Sequence, residues 1–140
     1  MARGVQIAFD ANDPHALAAW WAELLGYEVE ADDGFVRGLL EQGAVTADEV
    51  VEIDGVLCFA TAASMTDPTG EGPRFFFQRV PEHKSGKNRL HLDVRVGQDN
   101  IDTEVERLTA TGATFVRFGE HPGERWAVMQ DPEGNEFCLT

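Results

Sequence analysis

One pattern occurs twice in this chain: a strand-like run, an acidic cap, an amphipathic helix, a closing glycine and a further strand-like run. In the first copy Val5-Gln6-Ile7-Ala8-Phe9 alternates as a half-buried strand does. Asp13-Pro14 supplies an N-cap and a first-turn proline. Leu17, Trp20, Trp21, Leu24 and Leu25 recur at helical spacing, Gly26 closes the helix, and Tyr27-Glu28-Val29 starts a strand. In the second copy the stretch Leu90 to Val96 alternates throughout. Asp99 caps a helix carrying Ile101, Val105 and Leu108, Gly112 ends it, and Thr114-Phe115-Val116 begins a strand. Asp13 to Gly26 and Asp99 to Gly112 have the same separation, which predicts helices of equal length. A grammar repeated in this order is an internal duplication.

Each half then ends in strands. In the second, Trp126 to Gln130 and Phe137 to Leu139 flank Asp131-Pro132-Glu133-Gly134-Asn135, a run of turn-forming residues. In the first, Val56 to Ala60 and Arg74 to Gln78 read as strands joined by a loop through Asp67-Pro68 and Gly70 to Pro73. The first half also carries an insertion that the second lacks. There Phe35 to Gln42 reads as a short helix, and Thr46 with Glu49 has capping-box spacing before Val50-Val51. A lid, a dimer contact and a plain surface elaboration all fit that segment.

A chain of 140 residues suits one domain. The expected organisation is a first module over about 4–80 with its helical insertion at about 35–49, a linker over 81–88 and a second module over about 89–140. The fold class is α+β: tandem βαβββ modules whose curved mixed sheets surround a cup, with the helices on the outer face.

Strand alternation separates two faces. Leu90, Leu92, Val94 and Val96 oppose His91, Asp93 and Arg95; Val5, Ile7 and Phe9 oppose Gln6, Ala8 and Asp10; Phe137 and Leu139 oppose Glu136, Cys138 and Thr140. The apolar set buries against the helices. What remains is a polar face with interspersed aromatics, Trp126 and Phe76, beside Gln78. A wet face rarely carries two such aromatics, so a pocket for a small molecule is the expectation.

Acidic residues outnumber basic ones by 25 to 11, a formal net charge of −14. That argues against a nucleic-acid partner, whose phosphates need clustered Lys and Arg, and against anionic membranes. No apolar run approaches the ~18 residues a membrane span requires. Two cysteines are too few for a disulfide framework, and Met1-Ala2-Arg3-Gly4 leads into a strand without a signal-peptide pattern. A cytoplasmic setting is expected.

The paired modules, the helix closed by Gly26-Tyr27 and the ending Asp131-Pro132-Glu133-Gly134-Asn135 resemble the vicinal oxygen chelate (glyoxalase/bleomycin-resistance/dioxygenase) superfamily. The stretches from Phe77 to Pro81 and from Lys87 to Asp93 are similar to a glyoxalase-like branch of mostly unknown substrate. The resemblance implies a homodimer. It also implies, in metal-dependent members, an ion held by the first and last strand of each module. Carried over by position, the sites here are Gln6, Gln78, His91 and Cys138, with Glu136 as a neighbouring carboxylate. Gln78 and Cys138 stand where the pattern has a carboxylate, so no cofactor is expected; were a divalent ion held, zinc, nickel or manganese would be the candidates.

The resemblance therefore implies a small-molecule-binding protein without the usual catalytic metal. Its ligand would meet Gln6, Phe76, Gln78, His91, Asp93, Trp126 and Cys138. The alternative is a metal-dependent lyase or isomerase of glyoxalase type acting on a small oxygenated metabolite. A third reading is a metal-free enzyme in which His91 and Asp93 do acid–base work as the catalytic pair. Among the other titratable groups, His121 is read in a loop, His15 and His83 at the surface, and Cys58 as a small hydrophobe.

Overall fold

A computed structural model describes all residues, 1–140, and divides them into two compact units, Met1–His83 and Lys84–Thr140. The unit boundary lies within the segment read as a linker. The first unit holds β1 (Gln6–Ala11), α1 (Pro14–Leu25), β2 (Glu28–Val29), α2 (Asp33–Glu41), β3 (Val50–Ile53), β4 (Val56–Phe59), β5 (Ala62–Thr66) and β6 (Arg74–Arg79). The second holds β7 (Leu92–Val94), α3 (Ile101–Ala110), β8 (Thr114–His121), β9 (Glu124–Gln130) and β10 (Glu136–Leu139). Short 3₁₀ turns precede β3 and α3.

The duplication is visible in the topology. The first sheet runs β1-β6-β5-β2 and the second β7-β10-β9-β8, so corresponding strands take corresponding places. In each, the first and last strands of the module lie side by side and parallel, and the remaining pairs are antiparallel. The class is α+β with mixed sheets, as expected. No helix is long and apolar enough to cross a membrane.

Helix α1 forms where the sequence marks it. Asp13 is extended (φ −126°, ψ 90°) and its Oδ1 accepts the Ala16 N–H at 3.1 Å, while Gly26 takes the left-handed φ of 69° that ends the helix. Its buried face, Leu17, Ala18 and Trp21, covers the apolar side of the first sheet. There Phe9 stacks on Phe77 (5.0 Å between centroids) and meets Trp21 at 5.4 Å. In the second unit Ile101 and Leu108 of α3, with Ala127, Met129, Phe137 and Leu139, are almost wholly buried. Burying each large side chain contributes about 1.5–3 kcal/mol, which makes these clusters the main source of stability.

Four expectations require correction. The strand read over Leu90 to Val96 is only Leu92–Val94, because its partner β10 begins at Glu136. The preceding Asn135 has spent its backbone on the turn, donating to Asp131 Oδ1 and accepting from the Asp131 N–H. Leu90 therefore has no ladder to join and is exposed. Asp99 is not a helix cap: it sits within a 3₁₀ turn, already wound, and α3 has ten residues against twelve in α1. The strands at Val56–Phe59 and Arg74–Arg79 are not joined directly by a loop: the first forms a hairpin with β3, and β5, the partner of β6, lies between them. The alanines of Ala62-Ala63-Ser64-Met65 carry little strand propensity, so that strand left no signal. Finally, His121 belongs to β8, which pairs onward to a tight turn at Pro122-Gly123.

Candidate functional site

The polar face of the first sheet is organised by Arg74. Its Nε donates to Glu30 Oε1 at 2.9 Å and its Nη2 to Glu30 Oε2 at 2.6 Å, a bidentate pair. Nη2 also reaches Ser64 Oγ at 2.8 Å, and Nη1 reaches Gln6 Oε1 at 2.7 Å. Alternation places Ser64 opposite Phe76 and Gln6 opposite Arg74, so three strands and the chain just after β2 contribute to one surface. The Arg74 hydrogen bond holds the Glu30 carboxyl below its ordinary value against the opposing pull of burial. The same bond, together with the charges of Glu30 and Asp32, raises Arg74.

The insertion walls this surface. Ile53 and Val56 pair across the two-residue turn Asp54-Gly55, where both residues have positive φ (50° and 80°), as a type I′ hairpin demands. Asp33 ties the hairpin to α2, accepting the Leu57 N–H at 2.6 Å and an ion pair from Arg37 at 2.9 Å. His15 Nε2 lies 2.7 Å from the Phe59 carbonyl oxygen and fixes the far end to α1.

Between hairpin and sheet lies a cleft of about 460 Å³. Arg74, Ser64 and Phe76 line its sheet side, and Ile53, Val56, Cys58 and Phe59 the hairpin side. Glu30, Asp32 and Asp54 supply carboxylates at its margin. Its size falls in the range of small-molecule sites, and its chemistry follows their usual form of apolar walls with a few placed polar groups. Burial, then the charges of Asp33 and Asp32, push the Cys58 thiol up. Cys58 is half-buried and lines the cleft.

Of the residues expected to meet a ligand, Phe76 lines the cleft. Gln6 is taken up by Arg74, and Gln78 donates to Asp10 Oδ1 at 2.8 Å. These two glutamines stand at opposite ends of the β1–β6 ladder, four register positions or about 13 Å apart, so they do not form half of one ion site. Arg74, Glu30 and Ser64 escaped the sequence reading because their meeting needs the pairing of β5 with β6. The hairpin had a signal, Asp54-Gly55 between apolar strands, that the reading did not use.

In the second unit His91, Asp93 and Cys138 converge. His91 Nε2 is 3.2 Å from Asp93 Oδ1, and the ligand atoms of all three lie within 4.8 Å of one another. Cys138 faces Asp93 across the parallel β7–β10 pair. Burial, the Asp93 charge and a hydrogen bond with Asp93 push the Cys138 thiol up. Donors around a tetrahedral zinc stand about 3.3–3.8 Å apart; the His91–Asp93 separation is close to that span and the whole set lies within 4.8 Å, so the three side chains could hold an ion after a small inward adjustment. Glu136 is not part of it. It accepts the Asn88 N–H at 2.9 Å and pairs with Lys84 at 3.3 Å; burial raises its carboxyl, yet these partners outweigh burial and leave it lowered. Trp126 lies against His121, 5.1 Å between ring centroids.

Two βαβββ units of one strand order, each presenting a polar face with an aromatic, define the vicinal oxygen chelate class of domain. The chain belongs to the glyoxalase-like domain family, whose model matches residues 6–140. Solved structures share the fold. A glyoxalase/bleomycin resistance protein/dioxygenase family enzyme from Burkholderia phytofirmans PsJN is 16% identical, with 96% of this chain and 94% of that one covered at a TM-score of 0.64. A mutant of the fosfomycin resistance protein FosX from Listeria monocytogenes, complexed with Mn(II) and 1S,2S-dihydroxypropylphosphonic acid, is 14% identical. It aligns over 99% of this chain and 92% of its own at a TM-score of 0.66. TioX from Micromonospora sp. ML1 is 16% identical over 99% and 97%, with a TM-score of 0.51. No curated protein matches. At these identities the likeness to solved structures is one of fold.

Proposed function

We propose that this glyoxalase-like domain binds a small molecule in the cleft of its first unit, through its own side chains and without an ion. The carrying observation is the cleft itself, about 460 Å³ bounded by Phe76, Ser64 and Arg74 on one side and the β3–β4 hairpin on the other. Arg74, locked by Glu30, Ser64 and Gln6, is a preorganised floor and not a mobile charge. The test is a thermal-shift screen of metabolites and antibiotics, followed by amide chemical-shift mapping of the hits. Shifts at Ser64, Phe76 and Val56 that vanish in Ala31→Trp, which fills the cleft from its exposed rim, are expected. Hits whose shifts avoid those residues overturn the reading.

A second reading rests on the convergence of His91, Asp93 and Cys138: a metal-dependent lyase or isomerase acting on a small oxygenated metabolite. Lewis-acid polarisation of a substrate oxygen is the chemistry that zinc, nickel or manganese supplies when held there. Support comes from the fit of the donor set and from the fold shared with FosX, which holds Mn(II). Elemental analysis of protein purified without an affinity tag decides it: one ion per chain, lost in His91→Ala, supports the metal reading, and no ion with no heat on titration removes it.

The working form we propose is a homodimer in the cytoplasm, a setting in which the free thiols Cys58 and Cys138 persist. Light scattering after size exclusion tests the assembly, and a single monomeric peak overturns it.

A further inference from the structure

We propose that the cleft selects a small organic cation, an amine carried on an apolar body. This rests on reading the cleft as the ligand site. Its margin holds three carboxylates, Glu30, Asp32 and Asp54, against one guanidinium, Arg74. Four of the five guanidinium N–H groups are engaged, by Glu30 at Nε and Nη2, Ser64 at Nη2 and Gln6 at Nη1, and its charge is already paired with Glu30, so it offers an anionic ligand one Nη1 donor at most. Asp32 and Asp54 differ. The nearby basic side chains are committed elsewhere, Arg37 to Asp33 and Glu52 and Arg74 to Glu30, so neither aspartate has a salt-bridge partner. Two aspartates without a salt-bridge partner therefore line the cleft together with Phe76, Val56 and Ile53, and its carboxylates outnumber its one guanidinium by three to one.

The geometry suits a two-part ligand. An apolar body enters between Val56, Ile53 and Phe76, while an ammonium stays at the rim between Asp32 and Asp54, keeping part of its hydration. Low-dielectric walls strengthen the attraction relative to open solvent. A carboxylate in the same place meets like charge without a free cation to answer it. The Cys58 thiol within the cleft is pushed up chiefly by burial, and the charges of Asp33 and Asp32 add to it in the same direction.

Three probes with one body test this: 4-phenylbutylamine, 4-phenylbutanol and 4-phenylbutyrate, titrated by calorimetry into the intact chain. Affinity is expected to fall in that order, with the amine at least about tenfold tighter than the carboxylate, equivalent to about 1.4 kcal/mol. The double variant Asp32→Asn/Asp54→Asn should bring the two within about threefold. Asparagine suits both sites, since Asp32 makes no side-chain cap bond and Asp54 has the positive φ that Asn tolerates. Glu106→Gln, an exposed acid on α3, should change nothing and so separates a local field from the overall charge. Should that control shift the ratio as much as the double variant, the selectivity is bulk electrostatics and the proposal fails. If the three probes bind alike, or the carboxylate binds best, while Ala31→Trp still abolishes binding, cation selection is overturned and the cleft stands as a ligand site. Absence of binding by all three, or binding indifferent to Ala31→Trp, overturns both.

Discussion

Gly119 and Trp126 face each other across the β8–β9 ladder so closely that a Cβ at residue 119 would lie 2.4 Å from the indole ring. No positive φ is involved; the glycine is there for space. Gly119→Ala must turn the Trp126 ring off its seat against His121, which overpacking costs put at about 1–3 kcal/mol. Chemical denaturation followed by tryptophan fluorescence should show a lower midpoint. In Trp126→Leu the same Gly119→Ala change should cost much less, because the two sites share one space.

Arg74 and Glu30 make stability depend on pH. The Glu30 carboxyl titrates lower in the folded chain than in the unfolded one, chiefly through its hydrogen bond from Arg74, so the unfolded chain takes up the proton first as pH falls. The stabilisation is complete above the ordinary carboxyl value of 4.5 and is lost as pH drops through the lower folded value. Glu30→Gln should cost about 1 kcal/mol at neutral pH, a modest figure because the pair is partly exposed. Urea melts between pH 7 and pH 3 should show the variant and the parent converging in acid.

Gly55 is required by its φ of 80°, and nothing stands within 4 Å of a Cβ placed there. Gly55→Ala thus isolates a backbone effect, about 1 kcal/mol against the Asp54-Gly55 turn. Limited proteolysis should cut the β3–β4 hairpin faster, and affinity for a cleft ligand should fall while the α1 face of the sheet keeps its hydrogen-exchange protection.

Asp131 is 2% exposed and holds the last turn from within, accepting the Glu133 N–H at 2.9 Å and the Asn135 N–H at 3.0 Å. Asp131→Ala leaves two backbone donors short of a partner and should cost about 2–3 kcal/mol. Asp131→Asn, which keeps one acceptor oxygen, should cost less. A thermal melt of the two variants ranks them.

If the second reading holds, metal affinity at His91, Asp93 and Cys138 should rise with pH, because the Cys138 thiol lies above its ordinary value and must surrender its proton to a bound ion. Up to about tenfold per pH unit is expected from that one proton in zinc or cobalt titrations. Cys138→Ser should flatten the slope.

The duplicated architecture was legible because Asp13-Pro14, Gly26 and the alternating strands each state a local preference that packing then agrees with. Phe76 could be placed on the polar face by parity alone. The Arg74 cluster could not, since it joins residues from β1, β5 and β6 and the chain just after β2, and register across strands is not written in any one of them. Asp99 misled for a related reason. A capping residue is recognised by composition, but whether its backbone is extended depends on the turn before it, here a 3₁₀ turn entered at Gly97.

The hairpin that walls the cleft is spliced between β2 and β5, inside the loop that the parallel β1–β6 pair must close. Gln6 and Arg74 are 68 positions apart; their counterparts Leu92 and Phe137 are nearer along the chain. The entropy of closing a flexible loop grows only with the logarithm of its length, so the longer detour costs about 0.4 kcal/mol. A binding wall of this kind can be lengthened, shortened or exchanged during divergence at almost no thermodynamic penalty, leaving the ladder beneath it unchanged.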